Sequence, residues 1–159
     1  MKFSLVRIDD RLIHGQVALG WTRSKGIECI IAVDDETSND SFRVSLLKMA
    51  TPTGVKSFIV DKDSAIEKIN SGAFENKKTM LLVKKTETLL YLIKNGIAVE
   101  EVNVGNLRNE EGDKLLSYVY VSKEEIADFK EMRNQKVSFY AQALPDQQMT
   151  DFNSIIDKI

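Results

Sequence analysis

The sequence is poor in the residues that build disulfides, metal centres and membrane spans. It has one cysteine, Cys29, and one histidine in 159 residues, which excludes an internal disulfide and the usual zinc cluster. No apolar run approaches the roughly 18 residues of a membrane helix. Arg7 and Asp9 interrupt the first apolar run before the core of an export signal could form. These absences predict a cytoplasmic location.

An excess of charge of one sign is also missing. The chain has 22 Lys and Arg against 24 Asp and Glu, a net charge of −2. It therefore has no general attraction to nucleic acid or to an anionic membrane surface, and a nucleic-acid partner is not expected. Motifs of the P-loop, dinucleotide-binding and serine-hydrolase types do not occur, and neither a metal nor another cofactor is predicted. A length of 159 with 43% hydrophobic residues predicts one domain over residues 1–159.

What the sequence does contain is an alternation of short apolar runs and segments with helical spacing. The runs are rich in β-branched residues, and the near-continuous apolarity of the early ones is typical of parallel strands buried on both faces. The predicted strands are FSLVRI from Phe3, CIIAV from Cys29, SFIV from Ser57, MLLV from Met80, VNV from Val102, YVYV from Tyr118 and VSFYA from Val137. The predicted helices span 15–25, 38–50, 63–71, 86–95, 123–133 and 148–158. This order predicts an α/β sandwich, with a mostly parallel or mixed central sheet of about seven strands and helices on both faces.

The loop after the first strand, DDRLIHGQ from Asp9 to Gln16, contains most of the residues that could bind an anion or act as a nucleophile. In open α/β sheets, ligands bind beyond the carboxyl ends of strands, where this loop is placed. Arg11 offers a planar fork of donors for phosphate oxygens. Gly15 and Gln16 open a helix whose free backbone N–H groups and dipole favour an anion. The neutral imidazole of His14 can act as a nucleophile, so the loop predicts a site where a histidine accepts a phosphoryl group.

Other interpretations of the same residues stay open. A single histidine at a helix start is most often a polar residue satisfied by the backbone, and Arg11 alone is most often an ion-pair partner. Asp9 and Asp10 would repel a phosphoryl group, so we expect them to hold Arg11 or to cap backbone N–H groups, with orientation of the imidazole as an alternative role for one of them. His14 as a general base on a small phosphorylated metabolite is a further alternative, and it predicts a deep, closed pocket beside the ring.

The run RIDDRLIHGQVALGW from Arg7 to Trp21 resembles the signature of the IIB component of sugar phosphotransferase systems of the mannose, fructose and sorbose family. The resemblance covers essentially the whole chain. It continues in DDETSNDSFRVSLLKMATPTGVKSFIV from Asp34, LLVKKTE from Leu81, NVGN from Asn103 and AQALP from Ala141. Two departures are visible: Asp34-Asp35 stands where the family usually has Asn-Asp, and Gly105-Asn106 where two glycines are common.

The resemblance implies a phosphoryl carrier. It implies that Nδ1 of His14 accepts the phosphoryl group from a phosphohistidine of a IIA protein or domain, with Arg11 stabilising the group. It implies that His14 then passes the group to a sugar bound by the membrane components IIC and IID, so that contact with the membrane occurs through these partners only. The alternative function is a non-catalytic regulatory module that binds phosphate or a phosphoprotein at the same loop.

A carrier must present its histidine to two large partners in turn. His14 is therefore expected at an exposed rim, with Leu12 and Ile13 beside it as an apolar surface that excludes water during docking. Trp21, one turn after Val17, is more typical of a core residue than of a sugar-binding platform.

Overall fold

Ten strands and seven helices alternate along the computed structural model, which describes residues 1–159. The strands are β1 (Leu5–Ile8), β2 (Cys29–Val33), β3 (Lys56–Val60), β4 (Thr79–Val83), β5 (Glu101–Val104), β6 (Leu107–Arg108), β7 (Asp113–Leu116), β8 (Val119–Val121), β9 (Ser138–Ala141) and β10 (Thr150–Asp151). The helices are α1 (Gly15–Lys25), α2 (Asp35–Ser38), α3 (Ser41–Ala50), α4 (Lys62–Asn70), α5 (Thr86–Lys94), α6 (Lys123–Asn134) and α7 (Phe152–Lys158).

Seven strands form the central sheet in the order β10-β9-β5-β1-β4-β2-β3. All neighbouring pairs are parallel except β9 with β10, so the sheet is mixed only at one edge. The predicted α/β class is confirmed. β1 lies between β4 and β5, which places the loop that follows it near the middle of the carboxyl edge of the sheet.

Two strand assignments differ from the sequence prediction. The sequence pattern predicts the YVYV run in the central sheet, but β8 pairs with β6 and β7 in a separate three-stranded sheet. The seventh central strand is β10, which occupies part of the segment predicted as a helix over 148–158. The helix starts later because the side chain of Asp151 caps it, accepting a hydrogen bond from the backbone of Asn153 at 3.0 Å.

The sheet separates two apolar clusters. The larger cluster has 26 buried residues and lies under α4, α5, α6 and α7, with Phe129 packed edge-to-face on Phe139 and Phe152. The smaller cluster has 10 buried residues, and it includes Trp21 from α1. Every residue of β1, β2 and β4 is buried, which explains why their sequences lack the alternation of half-exposed strands.

Helix starts follow side-chain caps. Ser122 and Glu125 form a capping box at the start of α6, in which the side chain of each accepts a hydrogen bond from the backbone N–H of the other. The helix predicted over 38–50 is confirmed over Ser41–Ala50 and begins three residues later than predicted, since Asp40 caps α3 and separates it from α2. None of the helices combines the length and the apolar character needed to cross a bilayer.

Asp128 on α6 offers a test of how burial at the packed helices affects stability. It accepts a hydrogen bond from Oγ1 of Thr86 on α5 at 2.8 Å, but burial is the dominant effect and raises the pKa of its carboxyl. The folded chain therefore binds a proton there more tightly than the unfolded chain, and the charged form costs stability at pH 7. We expect Asp128→Asn to raise the free energy of unfolding at pH 7 by less than about 1 kcal/mol. In urea titrations, this gain should shrink as the pH falls through the acidic range.

Asp157 supplies the matched control. Its hydrogen bond with Arg133 lowers the pKa of its carboxyl, which is the opposite direction. Asp157→Asn should therefore lose stability at pH 7, and the loss should fade in acid. Equal responses of the two variants to pH would contradict the assignment of burial as the cause at Asp128.

Candidate functional site

The loop from Asp9 to His14 leaves β1 at the carboxyl edge of the sheet and is organised around the carboxylate of Asp9. This side chain is fully buried. Its Oδ1 accepts hydrogen bonds from the backbone N and from Nε of Arg11, at 3.0 and 3.1 Å. Its Oδ2 accepts from Nη2 of Arg11 at 3.1 Å and from Nη2 of Arg7 at 2.9 Å. One carboxylate therefore holds two guanidinium groups.

Arg11 is held by one edge and open at the other. Nε and Nη2 face Asp9, which leaves Nη1 without a protein acceptor, and 38% of the side chain is exposed. The hydrogen bond with Asp9 raises the pKa of Arg11 and secures its positive charge. The prediction that Asp9 holds Arg11 is confirmed in geometry. The fork itself is used for Asp9, so only the outer edge of the guanidinium is available to an anion.

Arg7 is the site residue that sequence reasoning missed. It lies inside β1 and is 1% exposed, with Asn103, the backbone oxygens of Gln142 and Ala143, and Asp9 as its hydrogen-bond acceptors. The available signal was an arginine within the otherwise apolar strand LVRI, because a charge in a strand buried on both faces must have a partner.

Asp10 fixes the loop to the small sheet. Its Oδ1 accepts from Nδ2 of Asn106 at 2.7 Å, and its Oδ2 accepts from the backbone N of Arg108 at 2.8 Å. The expectation that Asp10 caps backbone N–H groups is thus confirmed for Arg108. Its side chain does not contact Arg11 through a hydrogen bond, so the two aspartates have separate roles.

His14 is exposed and occupies the N-cap position of α1 in extended conformation. The helix begins at Gly15, as the sequence predicts. The cap side chain accepts no hydrogen bond, and the first turn contains no acidic residue. The first N–H groups of the helix, including those of Gly15 and Gln16, are therefore unpaired and directed at the loop.

The expected apolar rim is wrong for both of its members. Leu12 and Ile13 are 4% and 3% exposed, since they pack into the smaller apolar cluster. Leu12 adopts φ +56°, a left-handed conformation that costs about 1–2 kcal/mol in a residue with a Cβ atom. Its backbone N donates to the carbonyl of Asp9 at 3.0 Å, so burial of Leu12 and this tight turn together set the path toward His14.

Exposed apolar side chains occur on α3 instead, and one of them, Leu46, borders the site. Phe42, Leu46 and Met49 are 70%, 48% and 82% exposed, and Leu46 lines a depression of about 180 Å³ together with Arg11 and Arg43. Trp21 is a core residue, as expected: it is 2% exposed, and its Nε1 donates to the carbonyl of Ala143 at 3.1 Å.

Gly105 closes the buried part of the site and allows a direct test of its packing. A Cβ atom at this position would lie 2.9 Å from Oδ2 of Asp9 and closer still to Nη2 of Arg7. We expect Gly105→Ala to lower the free energy of unfolding by about 1–3 kcal/mol, because the two charged groups cannot both keep their places. The measurement is urea denaturation.

Gly20→Ala is the matched control for this substitution. An added Cβ would meet Pro145 at an ordinary 3.5 Å, and the residue lies within α1. Alanine should there raise the stability by about 0.5–1 kcal/mol. A Gly105→Ala variant as stable as the parent would show that the space around Arg7 and Asp9 is not limiting.

Comparison with known proteins identifies one family. A family model described as the sorbose subfamily IIB component of the phosphotransferase system matches residues 3–159. The sorbose-specific EIIB component of Lacticaseibacillus casei is 32% identical, over 100% of this chain and 98% of that protein. The mannose-specific EIIAB component of Escherichia coli K12 is 33% identical over 99% of this chain, which spans 50% of that longer protein.

Solved structures show the same fold. The IIBSor domain of the sorbose permease from Klebsiella pneumoniae superposes with a TM-score of 0.93 at 26% identity, covering 99% of this chain and 98% of that one. The N-acetylgalactosamine-specific IIB component 1 of Escherichia coli superposes with a TM-score of 0.87 at 29% identity, covering 94% of this chain and 98% of that one.

Proposed function

The chain belongs to the sorbose-subfamily IIB components of the sugar phosphotransferase system, and we propose that His14 is the residue on which it carries the phosphoryl group. Components of this type are phosphotransferases that transfer phosphoryl groups to sugar. One observation supports the assignment to His14. His14 is exposed at the N-cap of α1 without a hydrogen bond from its side chain to the helix, and the same loop contains the guanidinium of Arg11, which Asp9 holds. The imidazole of His14 can bond to one phosphoryl group, while the cation of Arg11 and the free amides of the helix bind its oxygens.

Local charge favours an anion at this loop even though the chain as a whole is slightly acidic. The fully buried Asp9 carries one negative charge and contacts two guanidinium groups, so the cluster of Arg7, Asp9 and Arg11 has a net charge of +1. The N-terminus of α1 adds a partial positive charge with no acidic residue in its first turn to offset it. Asp10 adds a negative charge to the same loop, but its two carboxylate oxygens already accept hydrogen bonds from Nδ2 of Asn106 and from the backbone N of Arg108.

The transfer is a substitution at phosphorus that the loop assists by positioning and by charge. The P–N bond of the donor phosphohistidine breaks as a bond forms between phosphorus and Nδ1 of His14. In the second transfer, this P–N bond breaks as a sugar hydroxyl oxygen attacks phosphorus, and the hydroxyl proton passes, directly or through solvent, to the imidazole that is released. The transition state is loose and its charge lies on the equatorial oxygens. Nη1 of Arg11 and the amides of Gly15 and Gln16 are the donors for those oxygens.

The partners belong to the same proposal. The donor is a IIA protein or domain, and the acceptor is a sugar held by the membrane components IIC and IID. The relative named EIIAB in Escherichia coli supports a close association with a IIA domain. A single domain over residues 1–159 and a cytoplasmic location, with membrane contact through the partners only, complete the proposal.

Phosphorylation of the intact chain tests the function. The chain would be incubated with phosphoenolpyruvate, the general phosphotransferase proteins and the IIA protein of its own system. We expect one phosphoryl group per chain, labile in acid and stable in base. Because His14 is the only histidine, detection of phosphohistidine by ³¹P NMR assigns the position. Binding of inorganic phosphate with no covalent product would instead favour the regulatory alternative.

A further inference from the structure

Arg7 is not among the donors to the phosphoryl group, and its burial requires an explanation. It is an always-charged residue in the central part of the sheet, and it does not reach the surface. Its Nε has no hydrogen-bond partner among protein atoms. Apolar residues of similar volume in place of the whole Arg7–Asp9 pair would avoid both costs, and such replacements of buried ion pairs are often neutral or stabilising. Retention of the cation therefore indicates a role that an apolar residue cannot fill.

The guanidinium of Arg7 is fixed from several elements at once. Arg7 on β1 is in register with Asn103 on β5, and Nη1 donates to the Asn103 side chain and to the carbonyl of Gln142. Nη2 donates to the carbonyl of Ala143 at 3.2 Å and to Asp9 at 2.9 Å. The ring of Trp21 lies 5.4 Å from Cζ. The position of the guanidinium is thus fixed by hydrogen bonds to β5 and to the two residues that follow β9.

Asp9 is the only acidic group that contacts Arg7, and it is also the group that holds Arg11. Its Oδ2 lies between Nη2 of Arg7 and Nη2 of Arg11, at 2.9 and 3.1 Å. The fixed cation therefore determines the orientation of the carboxylate. That orientation in turn determines which edge of Arg11 is occupied and which is free.

We propose that Arg7 is a positioning residue for phosphoryl transfer. It is buried below the site, and it orients Arg11 through the carboxylate of Asp9, which both arginines contact. Its effect has two parts. It holds the carboxylate in the orientation that binds Nε and Nη2 of Arg11 and leaves Nη1 free. It also supplies a second positive charge, so that Asp9 does not cancel the charge of Arg11 at the surface. This inference rests on the proposed function of His14 and adds a role to a residue that never touches the phosphoryl group.

A double-mutant cycle between Arg7 and Arg11 tests the proposal. The variants are Arg7→Lys, Arg11→Ala and the double variant. Lysine keeps the charge but lacks the planar guanidinium. It therefore cannot donate at the same time to Asp9 and to the oxygens of Asn103, Gln142 and Ala143. Initial rates of His14 phosphorylation would be measured with phosphoramidate as a small donor, so that partner docking does not enter. We expect Arg7→Lys to slow the reaction about tenfold when Arg11 is present and less than about twofold when it is absent.

A merely structural role predicts a different pattern. If Arg7 only supports the fold, its replacement slows the reaction by the same factor with and without Arg11, and this result would overturn the proposal. No slowing in the presence of Arg11 would overturn it as well. A parent chain that accepts no phosphoryl group on His14 would instead refute the proposed function.

Asn103→Ala provides a second route in case Arg7→Lys does not fold. It removes one acceptor of Nη1 without leaving Asp9 unpaired. Arg7 then has fewer anchors, and the rate should fall by a smaller factor of about three, again only while Arg11 is present. The side-chain Nε–H signal of Arg11 in ¹⁵N NMR supplies a readout separate from rate. It should shift in either variant if Asp9 turns, and an unchanged signal in both would contradict the proposal.

Discussion

The substitution His14→Asn should abolish phosphoryl transfer while making the chain more stable. His14 occupies the N-cap of α1 in extended conformation, but its side chain accepts no hydrogen bond from the helix. Asparagine is among the best N-cap residues, because its side-chain oxygen accepts from an N–H of the first turn. We expect a gain of about 0.5–1 kcal/mol in the free energy of unfolding, measured by urea denaturation. No phosphohistidine should form, since the chain has no other histidine.

His14→Ala separates the two effects. Alanine also removes the imidazole, but it cannot cap the helix, so transfer should be lost with little change in stability. Both variants should keep the parental circular dichroism spectrum, because residue 14 is exposed. Acid-labile phosphate on either variant would refute the assignment of the carrier residue. A loss of stability in His14→Asn would show that the imidazole has a structural partner.

The expected gain has a functional meaning. A capping side chain would occupy the N–H groups that the phosphoryl oxygens need, so a good cap and a good phosphate site exclude one another at this position. The same reasoning applies to the missing acidic residue in the first turn of α1. The start of α1 is therefore less stable than a capped helix would be. This is consistent with a site whose backbone N–H donors must be free to bind phosphoryl oxygens.

The parts of the site that could be predicted are those that are local in sequence. The bounds of α1 follow from its spacing and from Gly26, which adopts φ +65° at the helix end. The pairing of Asp9 with Arg11 spans two residues and a tight turn. These features depend on a short stretch of chain, so pattern and chemistry suffice to propose them.

The parts that could not be predicted depend on long-range pairing. Arg7 meets Asn103 across 96 residues of sequence, and that contact exists only because β1 and β5 are neighbours in register. Leu12 is buried because the turn takes a left-handed conformation that no pattern in the loop indicates. The edge strand β10 has only two residues and pairs antiparallel with β9, so periodicity carries no signal for it.

Arg11→Ala should lower the rate of His14 phosphorylation by about 10²–10³, the usual effect of removing one preorganised donor to a charged transition state. The free edge of its guanidinium is the only side-chain cation in the loop that is open to solvent, while Arg7 is enclosed. Stability should fall by about 1 kcal/mol or less, since Asp9 keeps its buried partner. Initial rates with phosphoramidate as the donor and urea denaturation measure the two effects on the same preparation.

Two further variants decide whether geometry or charge carries this effect. Arg11→Lys keeps the charge but cannot hold Asp9 with one edge and an anion with the other, so it should recover only part of the lost rate. Arg43 lines the same depression but is held by Asp40 at 3.3 Å, on a different element. Arg43→Ala should change the rate with phosphoramidate by less than about twofold. Equal losses in Arg11→Ala and Arg43→Ala would point to a general effect of surface charge. A guanidinium held by Asp9 predicts instead that, of these two surface arginines, only Arg11 changes the rate, because only its orientation is set from within the sheet.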